Sequence, residues 1–214
     1  MAVCGMVESA QKAIIPLVCE AMRPPENEDR AVEVPTMNEQ PKARLVFLVG
    51  FMGAGKTSVG REAARVLGWP FVDLDDEVEA AAGCSVAEIF HEKGEAEFRK
   101  LEHEALRQLI EKTNGAAVIA LGGGAFVQEA NAVLIREADG ISILLDAPVE
   151  ELRRRCKEAG RERPLASDEE RFRRLYEERL PAYATADEKI STAGRNVPTV
   201  AKAVRRAIMA RQKH

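Results

Sequence analysis

The feature that most constrains this chain is the stretch at residues 45–60, LVFLVGFMGAGKTSVG. An unbroken apolar run ends at Gly50, glycines recur at Gly53 and Gly55, and Lys56 and Thr57 follow directly. A short apolar run that does not alternate with polar residues is the pattern of a strand buried on both faces, which means a parallel strand covered by helices. Residues 50–57 also fit the spacing G-x-x-x-x-G-K-S/T in full. Glycines at these points let the backbone curl so that successive N–H groups point into one concavity, which suits phosphate oxygens. The helix expected from Lys56 adds the positive end of its dipole. A lysine here reaches the β- and γ-phosphates of a nucleoside triphosphate, and the threonine hydroxyl is placed to ligate Mg²⁺. Gly53, Ala54, Gly55, Lys56, Thr57 and Ser58 are therefore the expected ATP-binding residues. A dinucleotide site fits badly. Asp73 lies about where a ribose-binding acid would stand, but the glycines are out of register for G-x-G-x-x-G.

Beyond the loop, apolar runs alternate with helical periods. Strands are expected at 44–49, 70–74, 117–121, 141–145 and 189–192. Helices are expected at 56–67, 95–112, 129–137 and 198–211, with one from the capping box Ser85-Val86-Ala87-Glu88 to Gly94 and one from Pro148. Two further helices are expected after a charged loop at 157–168. In the first helix Val59, Ala63, Val66 and Leu67 share a face. The pattern is that of an α/β domain with a parallel sheet covered on both faces, and no internal repeat interrupts it. The chain has 214 residues, long enough for one domain with a proper core.

Composition narrows the function classes. Hydrophobic residues make up 46% and charged residues 31%, with a net charge of -4, which argues against a general nucleic-acid binder. Cys4, Cys19, Cys84 and Cys156 show neither pairing nor metal-ligand spacing, and His91, His103 and His214 do not cluster. That pattern reads as free thiols in a reducing compartment, so the expectation is a cytoplasmic protein with no zinc site. No apolar stretch approaches the roughly 20 residues that span a bilayer. Residues 23–43 are rich in proline and charge without periodicity. Residues 1–43 are thus expected to be a disordered extension to a domain at 44–214, with Met37 as an alternative start that intact mass would test.

The second strand runs into Asp73-Leu74-Asp75-Asp76-Glu77. On a strand, Asp73 and Asp75 point the same way. At the carboxyl end of a parallel sheet, two such acids can divide the work of holding a metal's water shell and taking a hydroxyl proton. The other reading of Asp75 and Asp76, as acids at a helix start, stays open on these residues alone.

Several spaced motifs together resemble the shikimate kinase family across the whole of 44–211. Residues 50–57 resemble its phosphate loop, and 71–75, FVDLD, its D-x-D stretch. Residues 85–90, SVAEIF, followed by 94–99, GEAEFR, are similar to its S-V/I-x-E/D-I-F…G-E-x-x-F-R. LGGGA at 121–125, Arg163-Pro164-Leu165 and Arg179-Leu180-Pro181-Ala182-Tyr183 are similar to its L-G-G-G-A, R-P-L and R-x-P-L-Y motifs. The resemblance implies a three-layer P-loop kinase fold with strand order 2-3-1-4-5 and a mobile lid. It implies Mg²⁺ on Thr57, assisted by Asp73, and a catalytic set of Lys56, Asp75 and the lid residue Arg163. It implies that Asp75 binds acceptor hydroxyls, that Arg99 and Arg179 clamp the shikimate carboxylate, and that Gly122, Gly123 and Gly124 let backbone meet the substrate. Arg163 would also contact phosphate, and Arg154 would stack on adenine, although the run Arg153, Arg154, Arg155 leaves that register open by one position.

The chemistry agrees. Guanidinium forks match carboxylate geometry, and a glycine strip lets a ring approach the main chain. A lid over the γ-phosphate at 157–168, carrying Arg161 and Arg163, would exclude water. Departures are small: Ala182 stands where the family has Leu, Phe126 where Val is common, and the stretch from Arg154 to Arg163 is long. The expected reaction is ATP-dependent phosphorylation of shikimate at its 3-hydroxyl by a monomer with small-molecule substrates and no nucleic-acid or membrane partner. Two other classes remain compatible with these residues: a kinase of another small polyol acid such as gluconate, and a non-catalytic ATP-binding relative.

Overall fold

In the computed structural model, residues 44–158 and 168–211 are described, all within the unit 41–214. The expectations for residues 1–43 and for the lid arginines Arg161 and Arg163 lie outside the described residues.

Five parallel strands form one sheet in the order β2-β3-β1-β4-β5. They are β1 (Leu45–Val49), β2 (Phe71–Asp73), β3 (Ala117–Ala120), β4 (Ile141–Asp146) and β5 (Glu188–Ser191). β1 is central, with Phe47 opposite Ile119 of β3 on one side and Ser142 of β4 on the other. Every residue of β1 and β3 is buried, as a strand covered on both faces requires. The helices are α1 (Lys56–Leu67), α2 (Leu74–Ala82), α3 (Val86–Lys112), α4 (Glu129–Glu137), α5 (Val149–Glu158), α6 (Glu169–Tyr183) and α7 (Val197–Arg211). α1 packs on α7, α2 on α3, and α5 on α6.

Local sequence explains most boundaries. α1 ends at Gly68, whose left-handed backbone lets its N–H return to the carbonyls of Ala64 and Arg65. α3 opens with the expected capping box: Ser85 Oγ accepts from Glu88 N at 3.3 Å, and Glu88 Oε2 accepts from Ser85 N at 2.7 Å. The expected break at Gly94 is a kink inside α3, where φ is 78° and only glycine sits without strain.

Two expectations are corrected. β2 stops at Asp73, and Leu74 already begins α2, so Asp75 lies in the first turn of a helix and not on a strand beside Asp73. The physical reason is that Asp73 caps the helix, its Oδ1 accepting from Asp75 N at 3.2 Å, while Asp75, Asp76 and Glu77 favour the positive end of the dipole. After the charged loop, the described residues hold one helix where two were expected, because α6 runs unbroken through Leu175 and takes Pro181 into its last turn. The buried face of α1 is Val59, Gly60, Ala63 and Ala64, with Val66 and Leu67 only half-buried.

Candidate active site

The phosphate loop joins β1 to α1 at the carboxyl edge of the sheet, the edge where ligands bind in open α/β folds. Gly53 and Gly55 have φ of 82° and 89°, which bends the loop into a cradle. Lys56 Nζ donates to the carbonyls of Gly50 (2.8 Å) and Phe51 (3.1 Å), which holds the ammonium across the loop. Thr57 Oγ1 donates to Asp73 Oδ2 at 2.8 Å. A hydroxyl and a carboxylate oxygen thus stand side by side at the mouth of the loop, hard oxygen donors of the kind Mg²⁺ takes together with water and phosphate. Among the described residues no group of three or more His, Cys, Asp or Glu could hold a metal ion.

The loop after β3 carries the glycine strip, and side chains lie too close over Gly122 and Gly124 for a Cβ, while over Gly123 they stand at van der Waals distance. A Cβ on Gly122 would meet Glu102 Oε1 at 2.6 Å and Asp75 Oδ1 at 2.7 Å. One on Gly123 would meet Arg179 Nη1 at 3.4 Å, the Met52 amide at 3.6 Å and the Gly50 carbonyl at 3.8 Å. One on Gly124 would meet the Arg99 guanidinium, with Cζ at 2.6 Å. Asp75, Arg99, Glu102 and Arg179 therefore converge on three consecutive glycines, and the strip lies against the phosphate loop.

Arg99 is held from both sides of its own helix. Its Nη1 donates to Glu102 at 2.7 Å and its Nη2 to Glu95 at 3.0 Å. Glu102 is fully buried, and Oε2 also accepts from Gln128 at 2.8 Å, while Oε1 has no hydrogen-bond partner among the described residues. Burial pushes the Glu102 carboxyl up, the Arg99 charge and hydrogen bond pull it back, and the Asp75 carboxylate adds to the rise; the net direction is upward. Arg179 lies over the Phe51 ring at 5.6 Å, and Phe51 in turn meets Phe172 and Tyr176 of α6 edge-on at 5.0 and 5.5 Å. The Tyr183 hydroxyl donates to the Gly123 carbonyl at 2.5 Å.

The arginine run on α5 separates into three roles. Arg153 pairs with Glu169 of α6, and Arg154 is exposed and pairs with Glu158 one turn on. Arg155 turns inward: it pairs with Glu151, donates to Thr192 Oγ1 (2.9 Å) and the Thr192 carbonyl (2.7 Å), and reaches the Gly53 carbonyl at 3.5 Å. Arg154 is the one of the three whose side chain stands in the open.

The structure thus gathers Lys56, Thr57, Asp73, Asp75, Arg99, Gly122, Gly123, Gly124 and Arg179 at one edge of the sheet. Sequence reasoning missed Glu102, Tyr183 as a hydrogen-bond donor, and Arg155. For Glu102 a signal existed, since acids four before and three after Arg99 mark a helical arginine braced by ion pairs. For Arg155 the i,i+4 pair with Glu151 was legible, but its bonds to Thr192 and Gly53 were not, because those groups lie on distant parts of the chain.

A family model described as shikimate kinase matches residues 52–209. The chain belongs to the shikimate kinase family. It is 42% identical to the shikimate kinase of Aquifex aeolicus over 146 residues, covering 68% of this chain and 84% of that protein. It is 44% identical to that of Geobacter sulfurreducens over 170 residues, covering 77% and 91%. Among solved structures, a shikimate kinase from Acinetobacter baumannii in complex with shikimate superposes with a TM-score of 0.72 at 35% identity, over 79% of this chain and 94% of that one. The P-loop kinase fold and the kinase class expected from the motifs are those of the family, and the strand order 2-3-1-4-5 is the one observed. A gluconokinase from Sinorhizobium meliloti superposes with a TM-score of 0.56 at 15% identity, a likeness of fold alone. No helix among the described residues is long and apolar enough to cross a membrane.

Proposed function

We propose that this family member transfers the γ-phosphoryl group of ATP to the 3-hydroxyl of shikimate, giving ADP and shikimate 3-phosphate. The observation that carries the reading is the convergence of two guanidinium groups and two carboxylates on the glycine strip beside the phosphate loop. A small carboxylate bearing several hydroxyls needs this set: forks for the carboxylate, acids for the hydroxyls, and bare backbone for a close ring.

The roles follow from position. Backbone N–H groups of residues 53–58 cradle the phosphates, and Lys56 stabilises charge on the transferring group. Arg99 and Arg179 hold the carboxylate, and Glu102 keeps the Arg99 fork aimed at the strip. Asp75, at the start of α2 and beside Gly122, orients the acceptor hydroxyl and takes its proton. Arg163, outside the described residues, is assigned to the phosphates as a lid residue, and the exposed Arg154 to the adenine face. Thr57 and Asp73 would hold Mg²⁺, which when bound would neutralise phosphate charge. The protein would work as a cytoplasmic monomer on small molecules.

The test is ADP release with Mg-ATP and shikimate, gluconate or no acceptor. Shikimate-dependent release supports the reading. Release with gluconate alone would overturn the roles of Asp75, Arg99 and Arg179 while leaving the phosphate site. No ADP release with any acceptor, from a folded protein that binds ATP, would favour a non-catalytic relative.

A further inference from the structure

We propose that Tyr183 is a positioning residue that sets the spacing between the carboxylate clamp Arg179 and the glycine strip, and so fixes affinity for the acceptor without touching it. The inference rests on the shikimate reading above. Tyr183 lies one helical turn after Arg179, so both project from the same face of α6. The phenol is almost fully buried, at 2% exposure. Its hydroxyl donates to the Gly123 carbonyl at 2.5 Å. Arg179 Nη1 lies 3.4 Å from the point where a Gly123 side chain would begin, so the guanidinium sits over the residue whose carbonyl the tyrosine holds.

The direction of the bond is fixed by chemistry. A carbonyl only accepts and a guanidinium only donates. The Tyr183 hydroxyl must therefore give its proton to Gly123, which turns its lone pairs away from that carbonyl. Burial pushes the Tyr183 phenol up to about 12, outweighing the nearby Arg179 and Arg99 charges and the Arg179 hydrogen bond, all of which pull it down. The proton therefore stays in place across the working range. Two contacts of one small ligand, the carboxylate at Arg179 and the ring against the strip, thereby meet at Gly123, whose carbonyl the Tyr183 oxygen holds. Removing that oxygen leaves the Gly123 carbonyl without its donor and frees the clamp to move relative to the strip.

Tyr183→Phe keeps the ring in its packing and deletes only the hydroxyl. The expected result is a shikimate KM raised about tenfold with the ATP KM unchanged, because an acceptor-side spacer leaves uniform nucleotide binding alone. A tyrosine that merely filled the core would lower the melting temperature and leave the ratio of the two KM values where it was. A double-mutant cycle with Arg179→Lys supplies a second readout. If Tyr183 acts through Arg179, the shikimate KM of the double variant rises by less than the product of the single effects. A folded Tyr183→Phe protein with a wild-type shikimate KM, or with both KM values raised equally, overturns the proposal. So does full multiplicativity in the cycle. Wild-type turnover that ignores shikimate would instead sink the shikimate reading itself, which separates the two failures.

Discussion

The donor and acceptor sides of the crevice lie on either side of Gly123 and are assembled in different ways. The phosphate side is made by consecutive residues, 50–58, whose backbone is bent by glycines and backed by one helix start. The acceptor side draws Asp75 from the start of α2, Arg99 and Glu102 from α3, the strip from the loop after β3, and Arg179 and Tyr183 from the end of α6. One side works mainly through N–H groups that any sequence with this spacing would present. The other works through side chains that become neighbours only when four elements pack. The lesson is that a phosphate site is a local object and an acid-binding site a tertiary one. The first should lose rate when its single charged side chain is removed, and the second should lose affinity in proportion to how far its supports are disturbed.

The largest effect expected is that of Lys56→Ala, about 10²- to 10³-fold in kcat, since it removes the main cation from the transferring group. Steady-state kinetics with a saturating acceptor checks it, and a small loss would mean that the phosphate side depends on side chains less than its geometry implies. Arg99→Ala should raise the shikimate KM by about 10- to 100-fold. It should also destabilise the protein by about 3 kcal/mol, because Glu102 is left buried without its cation. Adding Glu102→Gln should recover much of that stability in chemical denaturation and none of the shikimate affinity. Recovery of both would erase the distinction between clamp and brace.

Arg155→Ala provides the mirror test on the nucleotide side. Its contacts to Thr192 and Gly53 tie the phosphate loop to the β5–α7 connection, so the ATP KM should rise about fivefold, roughly 1 kcal/mol, the net worth of one hydrogen bond, while the shikimate KM stays put. A change confined to shikimate would break the division into two sides. The smallest effect concerns Asp187, outside both sites. Burial raises its carboxyl, but the hydrogen bonds from Ser142 and the Arg211 charge outweigh this and hold it below the ordinary carboxylate value. Its contribution is therefore present at neutral pH and is lost as pH falls through the folded value. Asp187→Asn should melt lower at neutral pH and show a flatter acid limb in melting temperature against pH, with unchanged KM for either substrate.

The same division marks what could be read in advance. β1, the phosphate loop and α1 were legible because each is specified by neighbours in sequence: apolar run, glycine spacing, helix start. The capping box at Ser85 and the break at Gly94 were legible for the same reason. Of the two readings of Asp73 and Asp75, the helix start and not the strand is the one observed, because alternation alone cannot say where a strand stops. The side chain of Asp73 ended it by capping α2. The third arginine of the α5 run gave no sign of its role, because the carbonyl and hydroxyl it binds lie on Thr192, 37 positions away in the chain.

The sequence by itself determined the parallel α/β sheet, the phosphate cradle and the residues able to grip a small acid. The first two follow from periodicity and from the backbone freedom of glycine, which act over a few residues, whereas the grip of Arg99 and Arg179 is what the family resemblance implies. Only the tertiary structure decided that Glu102 would be buried against Arg99, that Tyr183 would hold the Gly123 carbonyl, and that Arg155 would turn to Thr192 while Arg153 turned to Glu169. Those outcomes depend on which polar groups burial leaves needing partners, and a buried carboxylate, carbonyl or guanidinium finds its partner in space and not along the chain.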